Sequence, residues 1–213
     1  MYYWLDYFIY HYHLSMRKET IVVFDFDGTI TQKDSLLEFI KISRGKWRFF
    51  FGFLLFSPLL VAMKLKVFAS WKIKQIVFSY FYKDVSIETF NNWCIVFSSF
   101  IDGMLRPKAI ESLLEHKVRG DKTVIISASI ENWIKPWADK EGIDLVISTQ
   151  IEVDNGLLTG RLLSKNCYGQ EKVDRLLAEF PNRNEYHLVA YGDSCGDREL
   201  INFADEGYYN KFK

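Results

Sequence analysis

The sequence predicts an α/β fold, a doubly wound parallel sheet with an inserted helical cap, and three observations predict it. Short β-branched runs such as Ile21-Val22-Val23 and KTVIISAS (122–129) alternate with amphipathic helical stretches, which implies a mostly parallel sheet with helices on both faces. Several runs close on acids or serines (FDFDG, IISAS, YGDS), and in such sheets ligands collect beyond the carboxyl ends of the strands. The segment 33–105 breaks the alternation with helical patterns alone, so it reads as an insertion over that edge.

The elements follow in chain order. Residues 1–19 are a leader: MYYWLDYFIYHYHLS is aromatic but has neither a basic n-region nor a small-residue cleavage site, and makes a poor signal peptide. Met16 offers an alternative start, and His11 and His13 are given no chemistry. Residues 20–26 form a buried strand, and 20–32 with 106–213 make the core domain. Asp34-Ser35 open the inserted helices with Leu36, Leu37, Phe39 and Ile40. Pro107 begins PKAIESLLEHK, a helix that Gly120 stops, and the strand KTVIISAS follows. A helix near Glu131–Lys140 leads to the strand DLVIS, and QIEVDNGLLTGRLL is a hairpin turning on Asn155-Gly156. GQEKVDRLLAEF is an amphipathic helix, EYHLVAYGDS a strand that ends on Asp193, and DRELINFA a short helix. A last strand lies near Tyr208-Tyr209.

The 213 residues can bury a sizeable core, and a formal net charge of zero gives no global field for nucleic acid. Cys94, Cys167 and Cys195 are scattered, with no CxxC or Cys/His cluster, which speaks against zinc and for a reducing, cytoplasmic setting. Nothing in the sequence sets the oligomeric state.

The chemistry begins at FDFDGTIT (24–31), where Asp25 and Asp27 alternate at a strand end and should point the same way. Paired carboxylates raise one another's pKa unless a cation or shared proton relieves them, so the stretch reads as a meeting place for a metal and an anion. Gly28 permits a tight turn, and Thr29 and Thr31 supply hydroxyls. Strand topology brings Ser127 and Asp193 to the same edge. Taken singly, Asp193 and Asp197 read as helix or turn caps and Lys172 as a solvated charge; Ser129, Cys167 and Cys195 are left as packing or turn residues.

FDFDGTIT, VIISAS, GQEKV and YGDSCGD, in that order, resemble the four motifs of the haloacid dehalogenase superfamily of phosphotransferases, over residue 20 to the end. The fold so implied is Rossmann-like, and the cap between the first and second motifs is similar to that of phosphoserine phosphatases and the bacterial phosphatidylglycerophosphatase C type. The resemblance implies a Mg²⁺-dependent phosphatase in which Asp25 is the nucleophile and Asp27 the general acid/base. Asp25, the Asp27 carbonyl and Asp193 would ligate the metal, with Asp197 orienting its surroundings. Ser127 and Lys172 would hold phosphate oxygens, joined by backbone N–H groups of Gly28 and Thr29. Asp34 has two readings: an N-cap for the helix at Ser35, or a substrate contact where phosphoserine phosphatases carry a glutamate.

The cap bears on substrate. FFFGFLLFSPLLVAM (49–63) is interrupted by Pro58 and is shorter than the ~20 residues a membrane span needs. Lys41, Arg44, Lys46, Arg48, Lys64, Lys66, Lys72 and Lys74 surround it with no acid between them. A buried cap helix is one reading; an anionic membrane surface, held peripherally on the inner face, is the other. The second turns the expected substrate from a small soluble phosphate, as for phosphoserine phosphatase, toward a lipid headgroup phosphate such as phosphatidylglycerophosphate. A membrane-attached binding protein that kept the fold but lost the chemistry would lack one of the motif residues, and none is missing.

Overall fold

The computed structural model describes residues 18–64 and 70–213, with the side chains of 60–70 excepted. The leader up to Arg17, with Met16, His11 and His13, lies outside the described residues, as do Lys66 and the side chain of Lys64. Five strands form one parallel sheet in the order β3-β2-β1-β6-β7: β1 (Glu19–Phe24), β2 (Lys122–Ile130), β3 (Leu145–Thr149), β6 (Tyr186–Gly192) and β7 (Glu206–Tyr209). The chain winds outward from β1 to β3, then returns to lay β6 on the other side of β1. That reversal opens a crevice at the carboxyl ends of β1 and β6. β1 starts at Glu19, one residue before the expected core boundary.

Alternation along β1 explains the two layers. Val22 and Phe24 face one side, with Ile125, Val189 and Tyr191; Ile21 and Val23 face the other, with Val124, Ile126, Leu188 and Ala190. α7 (Gln170–Glu179) and α8 (Arg198–Phe203) cover the second face through Val173, Leu176 and Leu200. α5 (Pro107–Val118) and α6 (Glu131–Lys140) cover the first, where Leu113, Trp133 and Trp137 are buried.

Within 33–105 lie α1 (Ser35–Arg44), α2 (Lys46–Lys64), α3 (Ser70–Tyr82) and α4 (Ile87–Ile101). Phe39, Phe78, Phe90 and Phe97 interlock edge to face and extend the same apolar cluster that covers the sheet. The hairpin of β4 (Ile151–Asp154) and β5 (Leu157–Leu162) turns, as expected, on Asn155-Gly156, both at positive φ. It braces these helices: Leu158 exchanges backbone hydrogen bonds with Asp84 and Val85, each 2.8 Å. Pro58 does not break α2, which runs through it. Among the described residues no helix is long and apolar enough to cross a membrane.

Candidate active site

β1 ends at Phe24, and Asp25 continues its ladder for one more bond, donating its N–H to Tyr191 O at 2.9 Å. The carboxylate meets Lys172, which rises from the first turn of α7 and is only 1% exposed. Lys172 Nζ donates to Asp25 Oδ1 and Asp197 Oδ1, both at 2.6 Å, and to Ile126 O at 2.9 Å, so its three protons are all used. Asp197 in turn organises the loop after β6, accepting from Asp193 N (3.2 Å), Ser194 N (2.9 Å) and Ser194 Oγ (2.8 Å). Asp193 lies against Gly28, where a Cβ would overlap its carboxylate. Gly28 also has φ +85°, so glycine is required twice over.

Oxygens of Asp25, Asp193 and Asp197 lie within 4.8 Å of one another. Lys172 answers part of that charge, and the half-exposed Lys213 reaches Asp193 Oδ2 at 2.8 Å. Thr29 Oγ1 is buried close by in sequence, with no hydrogen-bond partner among the described residues. Hard oxygen donors in a crowded, partly neutralised cluster suit a Mg²⁺-type cation. The side-chain set takes in Asp197 and leaves out that of Asp27, whose expected contribution was a main-chain carbonyl.

Asp27 is turned elsewhere. Its Oδ1 accepts Ser35 N at 2.8 Å, and its Oδ2 accepts Ser35 Oγ at 3.0 Å together with Ser129 Oγ. Trp133 Nε1 donates to Ser35 Oγ at 3.0 Å and fixes that hydroxyl from behind. The two aspartates therefore share no hydrogen-bond partner, and mutual repulsion is not what chiefly perturbs them. Burial pushes the Asp25 carboxyl up to about 7 against the pull of Lys172; Asp27 is among its lesser causes. Burial and then Asp34 push the Asp27 carboxyl up to about 6. Burial alone would lower Lys172, but Asp25 and Asp197 raise it instead, and that ammonium helps hold Asp197 below the usual carboxylate range against burial.

Ser127 is buried at the end of β2 and its Oγ accepts Ser129 N at 3.1 Å, leaving its own proton for another acceptor. Asp34 caps α1, accepting Leu37 N at 3.1 Å, and it also lines a cavity under α2 and α3. Three residues were missed as site residues. Ser129, read as filler, and Ser35 hold Asp27. Lys74, counted in the basic rim, instead turns inward from α3 to donate to Ala128 O; burial pushes its amine down, against Asp27 and Asp34. Cys167 is buried and Cys195 lies 2.8 Å from Tyr168 OH, in keeping with packing and turn roles.

The haloacid dehalogenase-like hydrolase family matches residues 22–202, from within β1 through α8. The chain belongs to that family. Protein CicA of Caulobacter vibrioides (strain NA1000 / CB15N) is 35% identical over 195 residues, 91% of this chain and 86% of that protein. A hydrolase of the family from Salmonella enterica serovar Typhi superposes with a TM-score of 0.68 at 17% identity, over 90% of this chain and 62% of its own. A phosphoserine phosphatase solved as an analogue of its phospho-aspartyl intermediate gives a TM-score of 0.61 at 20% identity, covering 91% of this chain and 86% of that one. This hydrolase is thus an α/β protein of the expected Rossmann-like kind.

Proposed function

We propose that the protein is a Mg²⁺-dependent phosphomonoesterase that works through an aspartyl-phosphate on Asp25. The observation that carries this reading is the buried Asp25–Lys172–Asp197 triad beside Asp193. Asp25 Oδ1 is tied to Lys172, so Oδ2 is the oxygen for attack on phosphorus. As the new P–O bond forms, the ester P–O bond breaks, and Asp27 gives its proton to the departing alkoxide. Water then attacks phosphorus, losing its proton to Asp27, and the acyl-phosphate P–O bond breaks to release phosphate and restore Asp25. A carboxyl near 6 can serve in both directions at neutral pH. Asp25 and Asp193, with the Asp27 carbonyl, would hold Mg²⁺, whose charge offsets the phosphate dianion and the acids around it. Ser127 and the N–H groups of Gly28 and Thr29 would hold the phosphate oxygens, joined by Lys172 when it exchanges one of its present acceptors for phosphate, with Asp197 keeping Lys172 and the Asp193 loop in place.

Residues 33–105 would act as the cap, and the substrate would be a phosphate on a lipid headgroup, phosphatidylglycerophosphate being the case the family resemblance suggests. Support comes from α2, where Trp47, Phe50, Phe51, Leu54 and Leu55 are exposed together beside Lys46 and Arg48. Such a protein would sit in the cytoplasm, peripherally on the inner face of the membrane. A soluble phosphatase resembling phosphoserine phosphatase is the second reading, favoured by Asp34 lining the cavity. A non-catalytic binding protein ranks below both, because every motif residue is present.

Phosphate release from an aryl phosphate and from a panel of lipid and soluble phosphomonoesters, with Mg²⁺ and with EDTA, tests the chemistry. Asp25→Asn keeps the shape but removes the nucleophile, so release should vanish. Activity that survives both the substitution and the chelator would falsify the assignment.

A further inference from the structure

A cavity of about 570 Å³ lies between α1, α2 and α3, within the ~300–1,000 Å³ typical of small-molecule sites. Its walls are apolar: Ile40 from α1, Phe49, Phe53 and Phe56 from α2, Ile73 and Val77 from α3. Its polar lining is Asp34 and Lys74, the latter beside Ala128, with Ser57, Asn166 and Tyr168. Ala128 falls between Ser127 and Ser129, and Ser129 holds Asp27. Lys74 donates to Ala128 O, next to the serine that holds Asp27, so Asp34 and Lys74 lie on the side toward the paired aspartates, neither of which lines the cavity. Gly52 lets α2 close on α3, since a Cβ there would strike the Phe81 ring. Its two charged residues thus lie toward the reacting carboxylates, and phenylalanines and aliphatic side chains make up most of the rest.

We propose that this cavity binds the alcohol side of the substrate, and that the alcohol side is a hydrocarbon chain close to the phosphate. The proposal rests on the phosphomonoesterase reading and narrows it. A phosphoserine could set its ammonium on Asp34 but would leave Phe49, Phe53 and Phe56 unfilled and bring its carboxylate against side chains that cannot hydrogen-bond it. Phosphatidylglycerophosphate, whose terminal phosphate is several polar groups away from its chains, would leave the apolar walls unfilled, so the proposal keeps the phosphomonoesterase and replaces that substrate. A phosphate monoester of an alkyl or acyl chain matches both ends: its anionic head meets Lys74 and the sheet edge, and its chain meets the phenylalanines. The outer face of α2 carries the exposed aromatic residues.

The test is a series of soluble alkyl phosphates, methyl to dodecyl, used as monomers, with the matching alkylphosphonates for binding by calorimetry. Each buried methylene is worth about 0.8 kcal/mol, so kcat/KM and phosphonate affinity should climb by about three- to fourfold per added methylene until the cavity is full. Val77→Trp should flatten that climb, bringing the dodecyl-to-methyl ratio toward one. Val77→Ala, which makes room instead of filling it, should keep the climb and certifies that the fold tolerates change there. A flat wild-type series with turnover intact overturns the hydrocarbon occupant and leaves the phosphatase standing. A climb that survives Val77→Trp but disappears in Phe50→Ser/Phe51→Ser places the chain on the outer face and overturns the cavity as its seat. Absence of turnover with a phosphonate climb that Val77→Trp abolishes keeps the cavity and overturns the catalytic reading.

Discussion

Lys172 and Trp47 are each in the place expected of the other. The lysine is 1% exposed at the edge of the sheet, whereas the tryptophan is 77% exposed at the start of α2. Desolvating an ammonium costs several kcal/mol unless it is paired and fully hydrogen-bonded, and Asp25, Asp197 and the Ile126 carbonyl supply all three partners. Nothing comparable answers for Trp47 or for Phe50, Phe51 and Leu54 beside it. The sheet edge is a closed electrostatic unit in which each charge is held by another. The outer face of α2 is an apolar surface that the described residues leave uncovered. On the proposed reading, chemistry and substrate choice would be divided between these two regions.

Breaking the first region should give the largest effect. Lys172→Met leaves two buried carboxylates without their cation, and removing one partner of a buried ion pair commonly costs about 3–5 kcal/mol. The urea midpoint should fall by a corresponding amount with the slope unchanged, and phosphate release should cease. A midpoint within error of wild type would mean that the triad is not the keystone its burial suggests. Asp27→Asn should come next. General acid catalysis is worth about 10²–10⁴-fold, so turnover of alkyl phosphates should fall by that much and that of aryl phosphates, which leave without help, by less. Equal losses on the two would make Asp27 a purely structural anchor for Ser35 and Ser129.

A milder probe of the same region uses pH. The Asp25 carboxyl is raised from 3.8 to about 7, so in EDTA the native state keeps a proton that the unfolded chain has lost. Its contribution to stability is complete below about 4 and disappears as pH rises through 7. Asp25→Asn has no such proton, so its melting temperature relative to wild type should rise between pH 4 and 8. Asp27, raised to about 6, titrates in both proteins and largely cancels. A difference that stays constant with pH would show that burial does not hold the Asp25 proton.

The sheet, the order of its elements and the meeting of Asp25 with Asp193 were legible in the sequence, because strand-end chemistry in a parallel sheet is forced to one edge; Lys172, on a helix, was indicated only by the family resemblance. The partners of Asp27 were not. Ser35 is 8 residues away and Ser129 102 residues away, and only packing brings them together. A hint existed in Ser127 and Ser129, which alternate at the end of a strand as Asp25 and Asp27 do. Lys74 was hidden among the lysines of a basic stretch. Its place beside Ile73 and one turn before Val77 and Phe78, all lining the inner side of α3, was the signal that separated it from the exposed Lys72. Charge counts treat those two lysines alike, whereas the helix turns them to opposite surroundings.

The smallest expected effect on stability belongs to the outer face of α2, and its smallness is the point. Phe50, Phe51 and Leu54 are all more than half exposed, so they bury little on folding, and surface substitutions of this kind usually stay within about ±0.5 kcal/mol each. Replacing all three with serine should leave the urea midpoint close to wild type. Binding to phosphatidylglycerol vesicles, measured by sedimentation, should nevertheless drop, because the apolar surface that would enter the headgroup region is gone. The basic residues nearby should still give a residual attraction that salt removes, since the screening length shortens from about 10 Å at 0.1 M to about 3 Å at 1 M. Lys72→Gln is the clean charge variant for this purpose. Lys74→Gln is not, because its amine belongs to the neck of the cavity and its loss would disturb the site as well. If the triple variant loses stability instead, by the amounts seen for core residues, the face is covered by some other part of the chain and no membrane is needed to explain it. If both stability and vesicle binding are unchanged, the exposed aromatics are incidental and the soluble phosphatase takes precedence.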